Sequence, residues 1–177
     1  KEQRGCYVAV GGAHVTATIP ETMQDPHIDF VMNGEGEISF LALCEALTEN
    51  KDLNEIDGIA FRQNGQVITS PKKNYIKHLD DLPFPDRGAL PLEKYYEVRE
   101  AHGAAQKKWT PKLATRGCPY RCTFCTPGIW DFRYRIRSAK NVVDEMEECL
   151  TKYGIEEFHF EDENLTLIKK NIIALCD

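Results

Sequence analysis

The hydrophobic and polar positions of the first fifty residues form two short apolar runs and two segments with a helical period. Each apolar run ends in a glycine-containing turn, which is typical of buried strands that leave a sheet. One helical segment begins with a proline, which suits a first helical turn, and the other carries apolar residues on one face. The predicted strands are 6–10 and 28–32, and the predicted helices are 20–24 and 37–49. This order predicts a parallel α/β unit.

The pattern changes in residues 52–108. Short apolar runs at 59–61 and 67–69 flank an Asn-Gly pair, which predicts a β-hairpin. The segment 82–86 reads Leu-Pro-Phe-Pro-Asp and is too rich in proline for a helix or a central strand. We therefore interpret 52–108 as a linker that carries a hairpin.

Residues 109–177 return to alternating strands and helices. The predicted strands are 112–115 and 155–160, and the predicted helices are 139–153 and 167–176. Ser138 is suited to cap the first of these helices, and Gly154 is suited to end it. A parallel sheet of two strands cannot bury both of its faces, so we expect the chain to be a fragment or to have partners that complete the sheet.

The composition is that of an ordinary soluble globular protein, with 42% hydrophobic and 28% charged residues and a net charge of −6 in 177 residues. No apolar run is long enough for a membrane span, and the N-terminus has no apolar signal-peptide core. These features, and seven cysteines without a disulfide-framework pattern, lead us to expect a cytoplasmic protein. The absence of an initiator Met is consistent with a fragment.

The segment 107–140 is strongly basic, with nine Lys and Arg side chains and a single Asp. A basic stretch can bind nucleic acid. We favour the alternative that it surrounds a smaller anionic group, such as a metal cluster or a carboxylate substrate. Arg135 and Arg137 are candidates for gripping a carboxylate or phosphate, or are solvated surface residues.

Cys118, Cys122 and Cys125 lie within eight residues in a loop that follows a predicted strand. Thiolates are soft ligands, and several of them in one short loop can bind an iron–sulfur cluster. Three ligands to a [4Fe–4S] cluster leave one iron open, as catalysis requires. Zinc is the competing metal, but it prefers four ligands, so His102 or His78 would have to complete that site.

The spacing Cys118-x-x-x-Cys122-x-x-Cys125, with Phe124 before the last cysteine, resembles the hallmark of the radical S-adenosylmethionine superfamily. The resemblance continues through Arg-Ile-Arg-Ser at 135–138 and Phe-Glu-Asp-Glu-Asn-Leu-Thr at 160–166. It implies that the three cysteines bind three irons of a [4Fe–4S] cluster. The fourth iron would chelate S-adenosylmethionine, which reduction cleaves to methionine and a 5′-deoxyadenosyl radical.

The resemblance also suggests residues that bind S-adenosylmethionine. In a parallel barrel, the site lies at the carboxyl ends of the strands, where the loops 116–128 and 161–166 are expected. The backbone near Phe124 would meet the adenine, and Asp162 or Glu163 would meet the ammonium group. A solvated acidic turn with a capping role is the alternative for the two acidic residues.

Two glycine-rich turns follow the first two predicted strands. They read Gly11-Gly12-Ala13-His14 and Gly34-Glu35-Gly36-Glu37. Together they resemble the second half of the cobalamin-binding domain in the B12-dependent branch of the same superfamily, in which such loops lie along the nucleotide tail of the corrin. The expected cobalamin-binding residues are Gly11, Gly12, His14, Gly34, Glu35 and Gly36. Tight turns that need glycine only for their shape are the alternative.

The resemblance therefore implies an α/β chain with three parts. Residues 1–51 are the C-terminal half of a Rossmann-like cobalamin-binding domain, 52–108 are the hairpin-containing linker, and 109–177 are the first βαβα of a partial TIM-type barrel. The implied activity is radical chemistry on an unknown small-molecule substrate, with methyl transfer or cyclisation and an electron donor such as flavodoxin or ferredoxin. We expect the fragment itself to be inactive. A non-catalytic iron–sulfur or zinc module and a corrinoid-binding protein remain alternatives.

Overall fold

The computed structural model describes residues 5–98, 108–125 and 130–177. The chain forms two compact units. The first unit contains Lys1–Ile76 and Tyr120–Phe132, and the second contains Lys77–Pro119 and Arg133–Asp177. Within the described residues, no helix has the length and apolar character needed to cross a membrane.

The first unit is built on a four-stranded mixed sheet with the order β1-β2-β3-β4. The strands are β1 (Ala9–Val10), β2 (Phe30–Met32), β3 (Ile59–Gln63) and β4 (Gln66–Ser70). β1 and β2 are parallel, as the sequence predicts, whereas β3 is antiparallel to β2 and to β4. The β3–β4 hairpin turns at Asn64 and Gly65, both with positive φ, which confirms the hairpin predicted from the Asn-Gly pair.

The hairpin extends the sheet of the first unit. β2 is buried along its whole length, and β3 covers the edge of β2 that faces away from β1. Ile59 and Ala60 on β3 are fully buried, and Ile59 lies opposite Met32. The sheet therefore includes residues 59–63 and 66–70, which lie in the segment 52–108 that the sequence predicts to be a linker.

Three α-helices complete the described part of the first unit. They are α1 (Ala13–Ala17), α2 (Ile19–Thr22) and α3 (Gly36–Glu49). α3 contributes the buried side chains of Leu43 and Ala46 to the core, together with Phe30 and Ile59 of the sheet. A short 3₁₀ helix, Leu53–Glu55, follows α3. The apolar period of the sequence predicts α3 to within one residue because one face of the helix packs on the sheet.

In its described residues, 77–98, 108–119 and 133–177, the second unit contains two small sheets and three α-helices. β5 (Trp109–Lys112) pairs in parallel with β8 (Glu157–Phe160), and β6 (Thr115–Arg116) pairs antiparallel with β7 (Arg135–Ile136). The helices are α4 (Leu92–Val98), α5 (Ala139–Tyr153) and α6 (Lys169–Cys176). Two 3₁₀ helices, Leu79–Asp81 and Arg87–Ala89, precede α4.

Both predicted ends of α5 are confirmed. The Ser138 hydroxyl accepts a hydrogen bond from the Asn141 amide at 3.1 Å, and Gly154 takes the left-handed conformation at φ 64°. The order β5, α5, β8, α6 agrees with the predicted βαβα pattern. The predicted strand 112–115 is instead divided, because β5 ends at Lys112 and β6 begins at Thr115.

A buried ionic cluster lies between β5 and α5. The carboxylate of Glu145 is within 2.7 Å of Arg87 Nη2, 2.8 Å of Lys112 Nζ and 2.6 Å of Arg137 Nη1. The Glu145 side chain is 2% exposed and that of Lys112 is fully buried. Burial by itself raises the pKa of Glu145, but hydrogen bonds from Lys112, Arg87 and Arg137 outweigh it and lower the pKa to about 2.

We predict that Glu145→Gln lowers the free energy of unfolding at neutral pH by about 3–5 kcal/mol, because it leaves three buried cations without their counter-charge. The folded-state pKa is below the unfolded value, so the stabilisation by Glu145 is present above about pH 4.3 and is lost as the pH falls toward 2. The difference in the free energy of unfolding between wild type and variant should therefore decrease as the pH falls from about 4.3 toward 2. Urea denaturation at several pH values measures this difference.

The matched control is Glu147→Gln on the exposed side of the same helix. It should change the free energy of unfolding by less than about 0.5 kcal/mol at every pH. Equal effects of the two substitutions would mean that the cluster does not stabilise the second unit.

Candidate functional site

A cavity of about 310 Å³ opens in the first unit at the carboxyl ends of β1 and β2. The glycines of both predicted turns line this cavity, with side chains of β2 and α3 around them. The lining residues include Gly11, Gly12, Gly34, Gly36, Met32 and Phe40. The carboxyl ends of parallel strands are the usual ligand-binding edge of an open α/β sheet. Four of the six predicted cobalamin-binding residues are thus together at one cavity.

The backbone of the two turns requires glycine. Gly12 has φ 107° and Gly34 has φ 79°, values that residues with a side chain rarely adopt. A Cβ atom on Gly11 would lie 3.3 Å from Cβ of Met32, so a side chain there would crowd β2. The turns therefore expose backbone where a side chain would otherwise occupy the cavity.

The other two predicted residues do not line the cavity. Glu35 is 2% exposed, and its Oε2 accepts a hydrogen bond from the Ile76 amide at 2.9 Å. His14 lies on α1, where it is exposed. Glu35 therefore has a structural contact at the turn, which the repeated Gly-Glu pattern of the sequence does not reveal. Phe40, which sequence reasoning missed, reaches the cavity because it lies one helical turn after Gly36.

The cysteine loop begins directly after β6, where Gly117 has φ 84°. Cys118 is half-buried and belongs to the second unit, whereas Cys122 and Cys125 are exposed and belong to the first. The Cys125 amide donates to the Cys122 carbonyl at 3.0 Å, which closes a turn between these two cysteines. Cysteine thiolates are the usual ligands of iron–sulfur clusters, so the chemistry of the three side chains suits such a cluster.

Across residues 5–98, 108–125 and 130–177, no group of three or more His, Cys, Asp and Glu side chains is arranged to hold a metal ion. The role of the three cysteines as ligands stays a prediction from their spacing. Of the candidate fourth zinc ligands, His78 is exposed and His102 lies outside the described residues. Phe124, predicted to lie near the adenine, is 91% exposed.

The two acidic residues after β8 contact the backbone that leads into the cysteine loop. Asp162 accepts hydrogen bonds from the amides of Ala114 and Thr115 and from the Thr115 hydroxyl, the last at 2.5 Å. Glu163 accepts one from the Gly117 amide at 3.2 Å. These bonds join the loops that follow β5 and β8, as the parallel pairing of the two strands predicts.

Arg137 is mostly buried and binds other groups of the protein, so it is not a solvated surface residue. Besides Glu145, its guanidinium donates to the Leu113 carbonyl at 2.9 Å and to the Asn141 side chain at 2.6 Å. It also lies 5.7 Å from the ring centroid of Phe84. The proline-rich segment 82–86 therefore contributes an aromatic contact to the second unit.

The sequence is similar to curated enzymes over nearly its whole length. It is 36% identical to an uncharacterized methyltransferase of Pyrococcus horikoshii, over 96% of this chain and 36% of the relative. It is 35% identical to the anaerobic magnesium-protoporphyrin IX monomethyl ester cyclase of Rubrivivax gelatinosus, over 95% of this chain and 30% of the relative. The chain thus spans about a third of the length of these relatives. No model of a known protein family matches the sequence.

The fold is similar to two solved structures. The cobalamin-dependent S-adenosylmethionine radical enzyme OxsB matches 95% of this chain and 23% of its own, with a TM-score of 0.73 and 21% identity. The radical S-adenosylmethionine methyltransferase TsrM of Kitasatospora setae matches 92% of this chain and 32% of its own, with a TM-score of 0.65 and 22% identity.

The predicted resemblance to the cobalamin-dependent radical S-adenosylmethionine enzymes is confirmed. The matched stretch includes both glycine turns and the cysteine loop, because it omits only a few residues of the chain. The fold likeness also agrees with a mixed α/β chain that contains parallel strands.

We predict that Glu35→Ala lowers the free energy of unfolding by about 2–3 kcal/mol, because the Ile76 amide would lose a charged, buried acceptor. Thermal unfolding measures the change. Glu37→Ala is the control, since Glu37 is exposed on the first turn of the same helix, and it should cost less than about 1 kcal/mol. Equal losses would contradict a structural role specific to Glu35.

Proposed function

We propose that this chain carries the cysteine loop and part of the cobalamin site of a radical S-adenosylmethionine enzyme. The observation that carries the proposal is the Cys118-x-x-x-Cys122-x-x-Cys125 spacing in a chain whose fold is similar to those of such enzymes. In this proposal, the three thiolates bind three irons of a [4Fe–4S] cluster. When bound, the reduced cluster supplies the electron that cleaves S-adenosylmethionine to methionine and a 5′-deoxyadenosyl radical.

The loops around the cysteines would bind S-adenosylmethionine. The exposed Phe124 and its backbone are proposed to cover the adenine. Glu163 is the better of the two acidic candidates for the ammonium group, because it is exposed and the Gly117 amide contacts only one of its two oxygens. The exposed carboxylate would then pair with the ammonium charge and orient it.

The glycine-lined cavity of the first unit is the proposed contact for cobalamin. Its exposed backbone lets a large, flat ligand approach closely, and Met32 and Phe40 supply apolar surface. The solved structure of OxsB contains aqua-cobalamin and S-adenosylmethionine, and that of TsrM contains cobalamin and a [4Fe–4S] cluster. These ligands support the proposal by similarity of fold.

We propose methyl transfer or cyclisation on a small-molecule substrate as the reaction of the whole protein. The relatives named above include a methyltransferase and a cyclase, which supports both outcomes. An electron donor such as flavodoxin or ferredoxin would reduce the cluster. A corrinoid-binding protein without a cluster is the second candidate, because the residues that line the cavity belong to the first unit and include none of the three cysteines.

We predict that the 177-residue chain binds about four irons per molecule after anaerobic reconstitution. Cys122→Ala should lose most of this iron, whereas Cys44→Ala should keep it, because Cys44 is an exposed thiol on α3 outside the loop. Iron analysis and EPR of the reduced protein measure the outcome. Equal iron in the two variants, or zinc in place of iron, would contradict the ligand assignment.

We predict that Gly36→Leu weakens binding of aquacobalamin at least about tenfold in equilibrium dialysis, because the new side chain would fill the cavity. Gly36 does not have a positive φ, and a Cβ atom there makes an ordinary 3.8 Å contact with Met32, so the fold should be kept. Thr48→Leu, at an exposed site on the same helix, should bind as wild type. Equal binding by both variants would remove the cavity from the cobalamin site.

A further inference from the structure

Asp162 makes an unusually large number of hydrogen bonds for one partly exposed carboxylate. The Ala114 amide lies 3.1 Å from Oδ1 and 3.2 Å from Oδ2, and both the amide and the hydroxyl of Thr115 donate to Oδ1. These donors come from Ala114, which precedes β6, and from Thr115, the first residue of β6. Three donors of the protein itself therefore converge on Oδ1, and the Ala114 amide is shared with Oδ2.

The neighbouring Glu163 is bonded differently. It is exposed, and within the described part of the chain its Oε2 accepts one hydrogen bond, from the Gly117 amide at 3.2 Å. Asp162 thus holds residues 114 and 115, and Glu163 contacts residue 117, the last residue before Cys118. The next residue of the loop after β8 contacts a different segment, because the Asn164 carbonyl accepts a hydrogen bond from the Tyr134 hydroxyl at 3.1 Å.

We propose that Asp162 is a positioning residue, which fixes the segment 114–117 and thereby the place of Cys118, and that it does not bind S-adenosylmethionine. This inference rests on the proposed function for its cluster and its ligand. Charge-assisted hydrogen bonds to backbone amides are strong and directional, so they can fix the start of a loop. Only two residues separate Thr115 from Cys118, so a shift of β6 would move the Cys118 sulfur as well.

Substitution by alanine and by asparagine separates the two roles. Three hydrogen bonds converge on Oδ1, and an asparagine can place its amide oxygen there, whereas alanine removes every acceptor. A positioning role therefore predicts that Asp162→Asn keeps most of the amide protection and iron content that Asp162→Ala loses. A ligand for the ammonium group needs the negative charge, so in that case the asparagine variant would fail like the alanine variant.

The first measurement is hydrogen exchange of the Ala114 and Thr115 amides in the cluster-free chain. We expect exchange to accelerate about tenfold or more in Asp162→Ala and less than about threefold in Asp162→Asn. Unchanged exchange in Asp162→Ala would overturn the inference, whatever the chain binds. This measurement needs no cofactor, so its result stands even if the proposed function fails.

The second measurement follows iron content and the shift of the EPR signal on adding S-adenosylmethionine. We expect Asp162→Ala to lose at least half of the iron and Asp162→Asn to keep both iron and shift. Glu163→Gln should keep the iron and weaken the shift. Normal iron with a lost shift in Asp162→Asn would overturn the inference, whereas a wild-type chain that binds no iron would contradict only the proposed function.

Discussion

Parallel strands end at the same edge of a sheet, and this constraint determines where the candidate sites of the chain lie. In the first unit, β1 and β2 are parallel, so their two glycine turns meet at one cavity. In the second unit, β5 and β8 are parallel, so the acidic loop after β8 contacts the residues that follow β5. The antiparallel hairpin β3–β4 has no part in the lining of that cavity and instead covers the far edge of β2.

The second unit also depends on a buried imbalance of charge. Three cationic side chains surround Glu145, and the cost of burying them is offset only while that carboxylate is ionised. Lys112 and Arg137 belong to the basic segment from which the sequence analysis considered nucleic-acid binding. Because both side chains are turned inward, part of that basic charge serves the fold and is not presented to a partner.

Regular periodicity and local turn chemistry made much of the fold predictable. α3, α5 and the β3–β4 hairpin lie where the sequence predicts them, because an apolar face, a serine cap and an Asn-Gly turn are local signals. The break between β5 and β6 was missed. It is stabilised by Asp162, which lies 47 residues from Thr115, and no local pattern reports such a contact.

The candidate sites were predictable to a similar extent. Clustered glycines predict turns in which the backbone stays exposed to a ligand. The four glycines of the two turns do line one cavity: Gly11, Gly12, Gly34 and Gly36. Glu35 shares their motif but points into the protein, because a buried amide at Ile76 needs an acceptor. The direction of a side chain at a turn depends on such long-range partners. The Gly-Glu-Gly motif therefore predicted where the turn lies, but it did not predict which partner the Glu35 side chain would have.

The bond between Glu35 and Ile76 has a mechanical consequence. Glu35 lies between two glycines that border the cavity. Ile76 is the last residue of the segment 1–76, which belongs to the first unit. One carboxylate thus works as a tether across 41 positions of sequence. While this hydrogen bond is intact, the glycine turn at 34–36 and residue 76 keep a fixed separation.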